Sequence, residues 1–225
     1  MNSFKDHFSG HASTYAAARP RYPESLFEWI GSQCKSHQLV WDAGCGNGQA
    51  SLALANYFDR VFASDPSASQ IASAEAHSSI TYAVEPAEQC SLPDNSVDGV
   101  CVAQALHWFD FARFFAEAER VLKPDGVLFA WTYEKSSANH DVDVVFEKLY
   151  RGTLDDYWPP ERKHVESAYR DIVFPFTEID SPHFELRCDW TLSQYLAYLR
   201  SWSASQRYLK ATGIDAVSVI EDDMR

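Results

Sequence analysis

Residues 38–48 read QLVWDAGCGNG, an apolar run that ends in an acid and then breaks into glycines on alternate positions. Leu39, Val40 and Trp41 have the β-branched and aromatic character of a buried strand, and Gly44, Gly46 and Gly48 mark a sharp turn into the next element. In the following segment Ala50, Leu52, Ala53, Leu54, Ala55, Tyr57 and Phe58 recur at helical spacing without a proline, so the unit reads strand, glycine turn, helix. Glycine suits such a turn because a residue without Cβ takes positive φ freely and lets the backbone approach a ligand closely. The unit is either a cradle for a small molecule or a plain strand-to-helix connection.

The spacing discriminates between ligands. The dinucleotide fingerprint G-x-G-x-x-G, counted from Gly44, requires a glycine or alanine at position 49, where the chain has Gln49. The pattern present, D-x-G-x-G-x-G from Asp42 to Gly48, resembles motif I of the class I S-adenosylmethionine (SAM) dependent methyltransferases. SAM carries no phosphate, so Asp42 beside the turn is no electrostatic liability and is suited to accept from the ligand's ammonium group. A second short strand, RVFASD, ends in Asp65, followed by Pro66; a carboxylate at that strand tip is placed to accept ribose hydroxyls. Taken alone, Asp65 suits NAD equally well, or serves as a helix cap.

Further out, the spacing of Tyr15, Arg19, Tyr22 and Pro23 resembles the opening of the type 11 methyltransferase branch, which includes the trans-aconitate methyltransferases. The resemblance implies that Tyr15 and Arg19 reach the SAM carboxylate or the substrate; the alternative is a surface arginine before a proline turn. A helix opening at Pro23 carries Leu26, Phe27, Trp29 and Ile30. His7 and His11 stand four apart with no third ligand, so no metal is expected.

After Asp65 a helix over 67–77 leads to a strand, SITYAVE, and to the loop before strand four. There the resemblance implies adenine contacts, and since Pro86 stands where an acid is common, these fall to the backbone of Ala87 and to Glu88 or Glu85. Val97–Ala103 is nearly continuously apolar, as a central parallel strand should be. Gln104 to Trp108 follow at its carboxyl end, where ligands of open α/β sheets bind. Gln104 is thereby a cofactor candidate, His107 a candidate general base or a structural histidine capping the next helix, and Trp108 a substrate contact. FARFFAEAERVL is a helix with a buried aromatic stripe, and KPDG turns into a fifth strand, VLFAWTY.

Beyond Tyr133 the pattern predicts a helix over 139–158, a short helix over 163–173, an alternating strand HFELRCDWTL, and a helical, aromatic-rich stretch from Ser193. Trp190, Tyr195, Tyr198 and Trp202 are core residues or, by resemblance, a lid that excludes water over the acceptor, with Tyr195 and Trp202 as substrate contacts.

The 225 residues, 46% of them hydrophobic, suffice for a single domain, with 4–36 as an N-terminal cap, 37–133 as the cofactor-binding core and 134–225 as a substrate-side and lid segment. The expected fold is α/β, a Rossmann-like methyltransferase sheet of the seven-stranded type, mostly parallel, lacking its last strand. A formal charge of −13 with no basic run argues against a nucleic-acid partner. Five cysteines without a C-x-x-C pair read as reduced core residues of a cytoplasmic protein, and no signal or membrane-length apolar run is present. The implied reaction is methyl transfer from SAM to a small molecule by a monomer or homodimer. A SAM-binding regulator and a nicotinamide-dependent oxidoreductase are the alternatives.

Overall fold

The computed structural model describes residues 20–133 and 135–225. In chain order its helices and strands are α1 (Glu24–Gln33), β1 (Val40–Ala43), α2 (Gln49–Leu54), β2 (Val61–Ser64), α3 (Ala68–Ala72), β3 (Ile80–Ala83), β4 (Val97–Ala103), α4 (Phe111–Val121), β5 (Leu122–Trp131), α5 (His140–Glu147), α6 (Arg162–Glu166), α7 (Leu192–Arg200) and α8 (Ser203–Thr212). The strands form one parallel sheet in the order β3-β2-β1-β4-β5. β1 sits at its centre, with Val40 opposite Val61 on one side and Gly99 on the other.

Strand alternation decides what covers each face. Trp41, Phe62, Val100 and Val102 point into a core shared with Phe114, Phe115 and Ala118 of α4, whereas Val40, Val61, Ala63, Cys101 and Phe129 meet Leu26, Phe27 and Ile30 of α1 and Leu54 of α2. Both faces of β1 and β4 are therefore dry. Asp98 staples the amino ends of these two strands: its carboxylate accepts from Lys123 Nζ (2.6 Å) and from the backbone N–H groups of Gln38 (2.8 Å) and Leu39 (3.0 Å). Burial opposes its ionisation, but these hydrogen bonds outweigh it and hold the carboxyl below its usual range.

A third core is wholly C-terminal. Phe146, Leu149, Tyr150, Leu154, Leu196, Leu199, Trp202 and Ile220 pack α5, the turns that follow it, α7 and α8 around one another, with Tyr133 at the end of the sheet packed against them. α7 opens with a capping box between Thr191 and Gln194.

Several expectations are corrected. Among the described residues the sheet has five strands rather than a seven-stranded plan less one, and HFELRCDWTL forms no strand before α7 begins at Leu192. The alternation there is satisfied differently, Phe184 packing on Trp29 at 5.8 Å while Glu185 and Arg187 pair in solvent. β5 begins at Leu122 rather than after KPDG, because the pairing with β4 shifts between Val97↔Leu122 and Gly99↔Val127 and absorbs those residues. The helix expected over 67–77 shortens to α3. The one expected over 139–158 stops at Glu147 and continues as a π-turn (Lys148–Thr153) and a 3-10 turn (Asp155–Tyr157). Of the five cysteines, Cys188 is exposed; the other four are buried and all are free.

Phe114 lies fully buried between Trp41 of the central strand and the Phe109 ring at 4.9 Å, so Phe114→Ala is expected to cost about 3–5 kcal/mol in urea unfolding. A loss below about 1 kcal/mol would show that α4 is not fixed through this ring.

Candidate active site

Gly44, Gly46 and Gly48 all take positive φ, at 70°, 55° and 85°, and they do so for different reasons. A Cβ on Gly44 would lie 2.7 Å from that of Ala105, and one on Gly48 would collide with the Tyr82 hydroxyl, so packing excludes side chains at both. A Cβ on Gly46 would meet none of the described residues within 4 Å: among them, the middle of the turn borders open space. Gly48 is the N-cap of α2, so the turn ends where that helix starts.

Two carboxylates flank the turn. Asp65 accepts from the N–H groups of Gly46 (3.0 Å) and Ser67 (2.8 Å), which fixes its orientation at the tip of β2; the cap of α3 is Ser67, not Asp65. Pro66, between them, is half-buried. Asp42 is fully buried; one oxygen accepts from Ser51 Oγ at 2.5 Å and the other has no partner among the described residues. Burial pushes its carboxyl up to about 7, against the Ser51 hydrogen bond. An orphaned buried acceptor beside an open turn fits a ligand that brings a cationic donor.

The loop after β3 is clamped from outside. Glu117 accepts from Cys90 N–H, and Arg120 donates to the carbonyls of Leu92 and Cys90 and to Asp94. Within the loop Ala87 is buried, Glu88 accepts from Asp110 N–H (2.9 Å) and Glu85 from Ser91 N–H (2.8 Å). The Glu88 carboxylate thus ties the loop to the N-terminus of α4.

At the carboxyl end of β4, Gln104 takes φ 56°, a conformation that costs a non-glycine residue of order 1 kcal/mol or more. Its amide spans to β5, donating to Tyr133 O (2.7 Å) and accepting from Thr132 Oγ1 (2.6 Å). His107 is buried in the Leu106–Trp108 turn, its ring against Trp108 and its Nδ1 paired with Tyr169 Oη at 3.0 Å. It does not cap α4; Asp110 does. Burial first, then the charges of Arg162 and His164, hold the imidazole near pKa 3, so it is neutral and weakly basic at physiological pH. Tyr169 carries φ 62° and follows Ala168 at 52°, a second strained segment aimed at the same place.

Tyr195 pairs with Ser136 at 2.8 Å, and Trp202 is buried against Tyr198, Phe146 and Trp158. Both belong to the C-terminal core, reached from the sheet through Tyr133. Tyr15 and Arg19 lie outside the described residues. Sequence reasoning missed Tyr169 and Arg162, which stand far along the chain from the glycine turn in segments without a motif; no local signal marks them. No group of side chains suited to a metal ion occurs among the described residues, and none of their helices is long and apolar enough to cross a membrane.

A sheet of order 3-2-1-4-5 with a glycine turn after β1, an acid closing β2 and a polar cluster at the end of β4 has clear relatives. A family model described as a methyltransferase domain matches residues 41–130. A Dictyostelium discoideum protein named as a candidate methyltransferase is 36% identical over 225 residues, covering 98% of this chain and 86% of that protein. The solved structure of a candidate type II methyltransferase from Anaeromyxobacter dehalogenans is 46% identical with a TM-score of 0.85, covering 92% of this chain and 88% of that one. The Aspergillus terreus methyltransferase pgmE is 30% identical over 193 residues, and there the chain spans 56% of its relative's length. The chain belongs to the class I SAM-dependent methyltransferases. It is an enzyme of that family, which displaces the nicotinamide and non-catalytic alternatives.

Asp42 generates a prediction that needs no ligand. Its folded-state pKa of about 7 lies above the unfolded value near 4, so between these pH values the folded chain keeps a proton that the unfolded chain has released. Stability relative to Asp42→Asn should therefore fall as pH rises from 4 to 7 and then level off. Urea unfolding at several pH values checks this; a flat difference would mean that Asp42 titrates normally.

Proposed function

We propose that this chain transfers the SAM methyl group to a small-molecule acceptor, with the cofactor lying across the carboxyl ends of β1, β2 and β4. Gly46 is the point of closest backbone approach, Asp65 takes the ribose hydroxyls, and Asp42 takes the ammonium group, whose charge draws its carboxyl into the ionised form. Ala87 and Glu88 border the adenine, and Gly44, Gly48, Pro66 and Gln104 shape the remaining wall. Tyr15 and Arg19 are assigned to the cofactor carboxylate by resemblance. The observation that carries the reading is the pairing of an open Gly46 with an oriented Asp65, 3.0 Å from its N–H.

When bound, SAM supplies a methyl group on a sulfonium that leaves as a neutral thioether. The protein's contribution is alignment and exclusion of water, an effect that in model reactions reaches effective molarities of about 10⁵ M or more. Gln104 and Tyr169 hold the ends of β4 and β5 together, and Trp108 borders the acceptor side with Tyr195 and Trp202 behind it in the C-terminal core. His107, buried and hydrogen-bonded to Tyr169, serves here as a positioning residue that keeps this wall in place rather than as the general base.

Calorimetric titration tests the cofactor site. Asp65→Ala is expected to weaken SAM binding by about 1.5–3 kcal/mol with circular dichroism unchanged, and Gly46→Val to abolish it by placing a side chain in the ligand space. Binding of NAD but not SAM by the wild-type chain, or unchanged SAM affinity in both variants, would overturn the assignment. Rates under saturating substrates should show no ionisation near pH 6.5 from His107; a limb there that vanishes in His107→Gln would restore it as a base.

A further inference from the structure

In this acidic chain the arginines of the described C-terminal segment mostly have acid partners: Arg200 pairs with Asp215 and Glu221, Arg151 lies near Asp155 and Glu166, Arg187 holds Glu185 and Arg225 holds Glu221. Arg162 differs. The residue is half-buried, and its guanidinium has no carboxylate within ion-pair distance among the described residues. It is nevertheless held in place: Nε and Nη2 donate to Tyr150 Oη at 3.2 and 3.0 Å, and its plane lies over the Trp158 ring at 4.7 Å. The nearby Glu166 is engaged elsewhere, accepting from Tyr150 Oη and approached by Arg151. Nη1 donates to nothing described. A fixed, partly desolvated guanidinium with an unused donor edge is built to receive a planar anion, because its fork matches a carboxylate in geometry and charge.

Its location is on the acceptor side. α6, which starts at Arg162, packs on the Leu106–Trp108 turn at the end of β4, where His164 meets the Phe111 ring at 5.2 Å. Lys135, two residues past Tyr133, lies over the Tyr150 ring at 4.7 Å, as Arg151 does at 5.1 Å and Arg162 at 5.6 Å, and the Lys135 charge is shared with Glu147. The cations thus gather outside the carboxyl ends of β4 and β5, a local exception in a chain of net charge −13.

We propose that Arg162 is the anion-binding residue of the acceptor pocket and that the acceptor is a small carboxylic acid, methylated on oxygen. The inference rests on the methyltransferase reading above and adds the substrate class. One carboxylate oxygen uses a lone pair to form the new C–O bond while the carbon–sulfur bond breaks and its electron pair stays on sulfur. The carboxylate's negative charge and the sulfonium's positive charge cancel, giving a neutral ester and a neutral thioether. No proton moves, so no base is required, in keeping with a His107 that is buried and paired with Tyr169.

The test uses the full chain with radiolabelled SAM and a panel of short mono- and dicarboxylic acids beside their amides, the matching alcohols, and simple amines and phenols. Label is expected in the acids alone, as an ester that releases methanol under mild base. Arg162→Met should raise KM for the best acid by about 10- to 100-fold, with SAM affinity by calorimetry unchanged, and Arg162→Lys should recover part of the loss. Exposed Arg113→Ala should change nothing. Binding of the acids to the enzyme loaded with S-adenosylhomocysteine gives a second reading, expected in the wild type and weakened in Arg162→Met. Methylation of amines or phenols but not acids, an acid KM indifferent to Arg162→Met, or no acid either methylated or bound would overturn the proposal while leaving the cofactor site intact. Absence of SAM binding in the wild type would instead overturn the reading beneath it.

Discussion

The reversal of the chain between β1 and α2 is the constraint on which the rest of the molecule depends. Three residues in five must take positive φ: Gly44 against Ala105 at the end of β4, Gly48 against Tyr82 of β3, and Gly46 where no described residue approaches. The turn is thus gripped by β3 on one side and by the end of β4 on the other while its middle stays clear. Because β1 is the central strand, with both faces dry, the turn cannot be displaced without disturbing the sheet.

Around that fixed point the energetics divide. Apolar burial on the two sheet faces supplies the stability. Polar groups at the carboxyl ends are instead arranged at some cost: a buried carboxyl with an unpartnered oxygen in Asp42, and left-handed backbone at Gln104 and Tyr169. The unpartnered Asp42 oxygen and the left-handed Gln104 and Tyr169 gather at one end of the sheet, where ligands of open α/β sheets bind, while the opposite end, where Asn95 takes the left-handed backbone that an asparagine tolerates, is closed by the satisfied Asp98–Lys123 pair. That polarity is a physical signature of a site built to bind rather than merely to fold.

Much of the glycine-turn side was legible because its signals are local. A strand, a glycine turn and a helix are contiguous, and the acid of β2 follows at short range, so hydrophobic period and turn chemistry suffice to place them. The aromatic stripe of α4 declared its face for the same reason, and Phe114 and Phe115 are buried where the spacing put them. The alternating residues 183–190 misled because alternation specifies a two-faced extended segment, not a hydrogen-bonding partner; Phe184 found Trp29 and no ladder formed. His107 was ambiguous because a histidine's role depends on burial and neighbours, and its partner Tyr169 is 62 residues away.

The sequence by itself determined the class of fold, the glycine turn after β1 and the family, because these rest on backbone preferences and periodicity within a few tens of residues. Only the tertiary structure decided that Asp65 is oriented by Gly46 and Ser67, that the Glu88 carboxylate ties its loop to α4, that His107 is a buried neutral partner of Tyr169, and that Arg162 stands without an acid beside the end of β4. Each of these depends on which distant segments pack together and on how much water they exclude. Charge, hydrogen bonding and pKa follow from that environment rather than from the residue's neighbours along the chain.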